Sequence, residues 1–433
     1  MALSTADQHS SPRISSRTKL LWLILGLPAA LILVVVGAQI HGLDFTVYRE
    51  GARAFLGMGE HRLYDPALVQ TDTRGLPFTY PPFAALLLTP FAFLPEAAGL
   101  VLLTATSCLC LVLTAVLVAR YLRDNDVLPE RVRTALGGTA GVVVLATLLI
   151  GVLGPWREGL GFGQINPMLM VLIVADLIRP AGRIPRGILI GLAAGIKLTP
   201  LAFGLIFLVR RDWRAVITLG VTFAATVAAG WLASPEQSRT FWFSALSDPS
   251  RVGDTTDMYN VSLNSLLAHL GTPEFLQRPL WLLAAAAVVV LGFLAIRRAD
   301  GRGDTLAAIS ANAVVMLAIS PISWFHHWVW IALILPALWV SVRRRRRAAV
   351  RAWGTALVIA MLPVFMLSSI TITMILTGEV SGQGPAVLEV FTGLGVVLPV
   401  LALVCWTTDA AGPSTRGSAS GTLLRHEQLP ERH

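Results

Sequence analysis

Apolar residues in this 433-residue chain gather into long runs, and the runs set its plan. About 20 apolar residues cross a bilayer. Runs lie at approximately 20–40, 97–119, 135–153, 166–178, 187–209, 215–233, 280–297, 305–320, 325–341, 352–372 and 386–406. The run at 187–209 is the odd one. RPAGRIPR and RRDWR flank its two ends, and Lys197 and the helix-breaking Pro200 sit in its middle within GIKLTP (195–200). A broken hairpin resolves this. The chain enters the membrane, turns at Lys197–Pro200 and returns to the same face, its irregular backbone tolerated where it lines a cavity. With the hairpin counted as two short helices, the pattern predicts an all-α integral membrane bundle of about twelve segments, with short helices in its outer loops.

Charge orients the bundle, because Lys and Arg accumulate on the cytoplasmic side of membrane proteins. Segments 1–19, 120–134, 179–186, 210–214, 297–304, 341–351 and 407–433 hold 25 of the 34 Lys and Arg residues. The longer segments 41–96 and 233–279 hold only four and three. Residues 1–19 and 407–433 are therefore expected as cytoplasmic tails, the second disordered, around a multi-pass plasma-membrane domain at 20–406. Segments 41–96 and 233–279 are its extracytoplasmic loops.

Composition excludes other classes. Hydrophobic residues make up 55% of the chain and charged residues 14%, against roughly 25% charged in soluble domains. The net charge of +9 raises nucleic acid as a partner. However, the arginines sit in short clusters between apolar runs, without the basic, aromatic-interleaved patch such binding needs. RRRRR (343–347) reads as a topology anchor. Cys108, Cys110 and Cys405 all lie inside apolar runs, so neither disulfides nor a metal site is expected. The first run is too long for a signal-peptide core and lacks a small-residue cleavage site after it, so it reads as a retained helix.

The remaining polar residues collect on the outer side. They are Asp44, the LPFTYPPFAALL stretch (76–87) with Tyr80, REGLGFGQINP (157–167) with Arg157, Gln164 and Asn166, Lys197, DMYNVSLNSLLAHL (257–270) with Asn260 and Asn264, and SPISWFHHWVW (320–330) with His326 and His327. Polar groups at helix ends or inside apolar segments are costly and mark functional sites by default. Each also has a plainer reading. Asp44 taken alone reads rather as a solvated interfacial charge, and the His pair among tryptophans reads equally as an aromatic belt. Lys197 resists such a reading, because a buried ammonium needs a partner. Gln164 and Asn166 either cap the helix that follows or bind a ligand. The glycines of GLGFG (159–163) follow no strand and lie on the outer face, which excludes a dinucleotide loop. Asp176 and Glu389, inside runs, have no evident partner.

Five stretches carry a resemblance: DFTVYREGARAFLGMGEHRLYDP (44–66), LPFTYPPFAALL, GFGQINPMLM (161–170), GIKLTP and SPISWFHHWVW. In this order and spacing the chain resembles the GT-C superfamily of integral-membrane glycosyltransferases. Within it, the resemblance is to the bacterial polyprenol-phosphate-mannose-dependent α-1,2-mannosyltransferases of glycosyltransferase family 87. It runs from the first helix to about residue 330; beyond 350 only generic spans match. In such enzymes an aspartate in the first outer loop is the catalytic base, which maps onto Asp44.

The resemblance implies a polyprenyl-phosphate-mannose donor, a mannosylated glycolipid acceptor (phosphatidylinositol mannoside, lipomannan or lipoarabinomannan) and no cofactor. Both substrates are anchored in the bilayer, so reaction and base belong at the outer membrane–water boundary. Inversion at the anomeric carbon needs one carboxylate as general base, and the departing lipid phosphate gains from nearby cations. Lys197 and one of His326 and His327, with His327 favoured, are expected on the phosphate. Arg62 and Arg157 stand next for that role, and Tyr80 is expected to contact sugar. An arabinofuranosyltransferase using a decaprenyl-phosphate donor and a lipid-linked glycan transporter remain as alternatives. A transporter also places a lysine at a broken hairpin, but the chain shows no internal repeat.

Overall fold

The computed structural model describes residues 15–71, 75–180, 182–367 and 386–408. The described residues are overwhelmingly helical. Their strands are one antiparallel pair, Val69–Gln70 with Gly75–Leu76, in which Val69 lies opposite Leu76. Seven helices are long and apolar enough to cross a bilayer: Ser16–Gly37, Glu96–Asp124, Trp213–Ala233, Glu274–Asp300, Phe325–Arg343, Ala348–Met366 and Glu389–Thr407. Thr139–Gly151 and Gly154–Phe162 make an eighth if taken together, bent by 73° where they meet. The chain is an all-α polytopic membrane protein. Residues 368–372 of the expected 352–372 run lie outside the described residues, as do 1–14 and 409–433 of the expected tails. Glu389 is exposed near the start of the last span.

Length and apolarity thus return seven or eight spans rather than about twelve, and the shortness of the remaining apolar helices explains the difference. The 305–320 run forms Thr305–Ile319, 15 residues in which Leu306 to Ala318 are all buried. At 1.5 Å per residue it is about 22 Å long, short of the ~30 Å hydrocarbon core. Asn166–Ile178 has 13 residues. A helix apolar on every side belongs either in lipid or inside protein, and here such helices pack inside the bundle. The long spans range from the peripheral Ser16–Gly37, whose hydrophobic window is only 11% buried, to the central Phe325–Arg343 at 72%. The 135–153 run breaks before Gly154, where Pro155, lacking an N–H, opens a new helix.

The expected hairpin is present. Ile188–Ile196 ends at Lys197, which is extended (φ −146°, ψ 131°); a 3-10 turn follows over Thr199–Phe203, and Gly204–Arg210 leads back. Contacts with Trp213–Ala233 trace its course. Gly187 abuts Ala215 and Leu219, Gly195 abuts Thr226, and Gly204 is again beside Leu219. Asp176 closes the open end. Fully buried, it accepts the N–H groups of Gly187 (2.9 Å) and Ile190 (3.1 Å) and pairs with Arg179 (2.9 Å). The arginine-rich segments meet one another at a single end of the bundle. Arg210 pairs with Asp300 (2.7 Å), Tyr121 donates to Asp304 (3.0 Å), Arg344 lies 3.5 Å from Asp304, and Arg345 donates to the Cys405 carbonyl (2.7 Å).

The hairpin seats on Trp213–Ala233 through glycine. A Cβ at Gly195 would lie 2.3 Å from Thr226 Oγ1, whereas one at Gly220 would meet nothing within 4 Å. Gly195→Ala is therefore expected to destabilise the protein by about 1–3 kcal/mol through overpacking, outweighing the ~1 kcal/mol gain in helix propensity. Gly220→Ala is expected to be neutral or stabilising. Thermal unfolding of the two variants in detergent checks this, and equal melting temperatures would overturn the packing argument.

Candidate active site

The C-terminal end of the first span is tied to the Gly154–Phe162 helix. The N–H groups of His41 and Gly42 both donate to the Gly161 carbonyl, at 3.0 and 2.9 Å. That approach needs glycine, because a Cβ on Gly161 would lie 2.6 Å from the Ala38 carbonyl oxygen. Gly163 has a left-handed backbone (φ +71°), and a Cβ there would lie 2.9 Å from that of Phe45. The glycines of GLGFG are thus a close-packing device. They bring Leu43–Phe55, which carries Asp44 in its first turn and Tyr48 one turn later, against Gln164.

A continuous line of hydrogen bonds follows. The Gln164 amide nitrogen donates to Asp44. Its oxygen accepts from Tyr48 Oη (3.1 Å) and from Asn166 Nδ2 (3.0 Å). With two donors on the oxygen, the amide must turn its NH2 toward the carboxylate. The Asn166 oxygen accepts from Lys197 Nζ (3.1 Å), and Lys197 also donates to His327 Nε2 (3.0 Å). An ammonium has no lone pair, so His327 must present an unprotonated nitrogen there. Since Tyr48 donates to Gln164, Tyr80 is the donor in the 3.0 Å contact between the two phenols. Burial holds both hydroxyls protonated, well above the ordinary phenol range, and the Asp44 charge adds to this. The Lys197 amine lies 5.6 Å from the centre of the Tyr80 ring.

All of these groups except Asn166 border one or both of two adjoining cavities. The larger, of about 1160 Å³, is walled by Asp44, Tyr48, Gln164, Glu158, Tyr259 and His326. The second, of about 950 Å³, is walled largely by apolar side chains, among them Phe78, Phe241, Leu246 and Ile322. Tyr80, Lys197, Arg251 and His327 face both. Residues 325–330 form a 3-10 turn with a kink at Trp328 (φ −77°, ψ 23°). Both histidines line the larger cavity. His326 lies beside Phe162, with ring centres 5.3 Å apart and planes tilted by 59°.

Other expected site residues lie elsewhere. Arg62 is 85% exposed and sits 3.9 Å from Glu236, and Arg157 lines neither cavity. Asn260 is a latch. Its oxygen accepts from the Ser323 N–H (2.9 Å), inside a bridge where Val261 donates to Ser323 (2.7 Å) and Phe325 to Tyr259 (2.9 Å). It thereby pins the loop at 233–279 to the His-His segment. The Asn264 oxygen accepts from Gln277 (3.2 Å). The sequence reading overlooked Tyr48, Glu158, Tyr259 and Arg251. Tyr48 was detectable as the residue one turn after Asp44. Arg251 lies in the polar stretch SDPSRVGD (247–254) and gave no signal.

Comparison with known proteins supplies the family. The model of glycosyltransferase family 87 matches residues 78–321. A polyprenol-phosphate-mannose-dependent alpha-(1-2)-phosphatidylinositol mannoside mannosyltransferase of Mycolicibacterium smegmatis is 35% identical, over 78% of this chain and 78% of its own length. The Mycobacterium tuberculosis protein of the same description is 32% identical over 81% of this chain and 84% of its own length. A phosphatidylinositol pentamannoside mannosyltransferase of M. smegmatis, also polyprenol-phosphate-mannose-dependent, is 34% identical over 72% and 73%. No solved structure matches. With an extent and identity of this order across most of its length, the chain belongs to glycosyltransferase family 87.

Proposed function

We propose that this glycosyltransferase moves mannose from polyprenyl-phosphate-mannose to a hydroxyl of a mannosylated glycolipid, with phosphatidylinositol mannosides favoured, and forms an α-1,2 linkage. One observation carries the reading. A carboxylate and an ammonium, Asp44 and Lys197, stand at the two ends of one hydrogen-bonded line on the wall of a single cavity. Glycosyl transfer from a phosphate donor needs a base on one side of the anomeric carbon and positive charge on the other. The acceptor oxygen bonds to the anomeric carbon while the bond from that carbon to the phosphate oxygen breaks. The electron pair leaves with the phosphate, and Asp44 takes the hydroxyl proton. Inversion in one displacement requires no nucleophilic carboxylate. Lys197, with His327 behind it, faces charge that grows on the phosphate, so its contribution is larger in the transition state than in the bound donor. No cofactor or metal enters these steps.

The site faces the extracytoplasmic side in this reading, because the arginine-rich segments gather at the other end of the bundle. The short buried helices Asn166–Ile178 and Thr305–Ile319 then complete the passage between the faces, sheltered from lipid by the long spans.

Cysteines at Thr71 and Ser250 are expected to react with a membrane-impermeant thiol reagent in intact cells, and one at Asp124 is not. Labelling at position 124 alone would reverse the orientation. Asp44→Asn should lower transfer by at least about 10²-fold while donor binding persists. Retained activity would remove Asp44 as base and turn attention to Glu158, the other carboxylate on the cavity wall. Lys197→Ala should lower turnover about 10²–10³-fold with a smaller change in donor KM. Lys197→Arg is expected to recover little, since a planar fork does not replace a point charge. A Lys197→Ala enzyme with normal kcat would place the phosphate elsewhere.

A further inference from the structure

The two cavities differ in chemistry, and they meet at cations. Asp44 lines only the larger one. The smaller one is lined away from the seam by Phe78, Leu198, Phe241, Leu246 and Ile322, with Thr199 and Ser320 among them; its carboxylate, Asp248, accepts the N–H (3.1 Å) and hydroxyl of Ser250. Lys197, His327 and Arg251 lie on the seam. A lipid-linked sugar phosphate has a matching order, with a polar sugar at one end, an apolar chain at the other and an anion between them.

Building on the function proposed above, the geometry points to Arg251 as a second donor-phosphate ligand, opposite in origin to Lys197, and to the smaller cavity as the seat of the first isoprene units. Arg251 arrives on the outer loop, in a 3-10 turn at Pro249–Arg251, whereas Lys197 arrives from within the membrane. Its guanidinium is held by the Tyr64 carbonyl (2.7 Å) and lies 5.6 Å from the centre of the Tyr64 ring. Tyr64 in turn donates to the Tyr80 carbonyl at 3.0 Å. That contact uses one of the five N–H groups, and among the described residues no carboxylate lies within ion-pair distance of Arg251. The guanidinium is thus fixed on an aromatic support with donors left over, a form suited to two oxygens of one phosphate. Sugar then falls on the Asp44 side and the lipid chain on the apolar side.

The test uses full-length protein in detergent and two variants. Arg251→Gln keeps a donor for the Tyr64 carbonyl and removes the charge; Leu246→Trp fills part of the apolar cavity. The first readout is the thermal stabilisation given by sugar-free polyprenyl phosphate, which does not depend on turnover. Arg251→Gln should need at least about ten-fold more lipid phosphate for the same stabilisation, with unliganded melting unchanged. The second readout is KM for a long-chain polyprenyl-phosphate-mannose against a short, water-soluble citronellyl-phosphate-mannose. Leu246→Trp should raise the first KM and spare the second, and Arg251→Gln should raise both. A wild-type protein unmoved by polyprenyl phosphate would overturn the donor reading and this inference together. Equal stabilisation of wild type and Arg251→Gln would overturn the arginine's role alone. A Leu246→Trp effect equal on both donors would take the lipid chain out of this cavity.

Discussion

An ammonium at the tip of a hairpin packed into the bundle is the constraint around which this structure is arranged. Removing such a charge from water is expensive unless other polar groups surround it. Lys197 finds them on three separate elements: Asn166 at the start of the helix after the glycine turn, His327 at the start of the central span, and the face of Tyr80 before Pro82–Ala92. Its two hydrogen-bond partners are neutral, so the positive charge is solvated without being cancelled. The hydrogen bonds hold the charge in place and leave it available to the cavity.

The same bonds reach the carboxylate. Gln164 and Asn166 can each use their amide in one sense only, because donors and acceptors alternate from Tyr48 and Lys197 to Asp44. A fully satisfied buried network is rigid, and rigidity is what a base needs if it is to meet one hydroxyl in one geometry. Packing reinforces this. Gly161 and Gly163 let two backbones approach closely enough that the first turn of the Asp44 helix has a single position.

The two long loops divide the labour. The first carries Asp44 and the tyrosines, and the second is latched by Asn260 to the segment that carries both histidines. This is why Asn260, polar and close to the site in sequence pattern, serves the backbone. A buried asparagine that bridges two loops satisfies strand-like groups that would otherwise face an apolar interior unpaired.

Much was legible before any coordinates. The apolar runs placed the membrane helices, the arginine clusters grouped the segments that meet at one end, and Lys197 with Pro200 announced the broken hairpin, because each rests on a local cost that no tertiary arrangement removes. Asp44, Tyr80, Lys197 and the histidine pair stood out for the same reason. Other features were decided only in three dimensions. Whether an apolar helix faces lipid or protein is invisible in its composition, so Thr305–Ile319 reads as a span and is a buried core helix. Whether a polar side chain faces a cavity, a backbone or solvent depends on its neighbours. Arg251 therefore joined the site from an unremarkable loop, while Arg62 and Asn264 left it. Hydrophobicity and charge act residue by residue and are written along the chain; the pairing of donors with acceptors acts between elements and exists only once they pack.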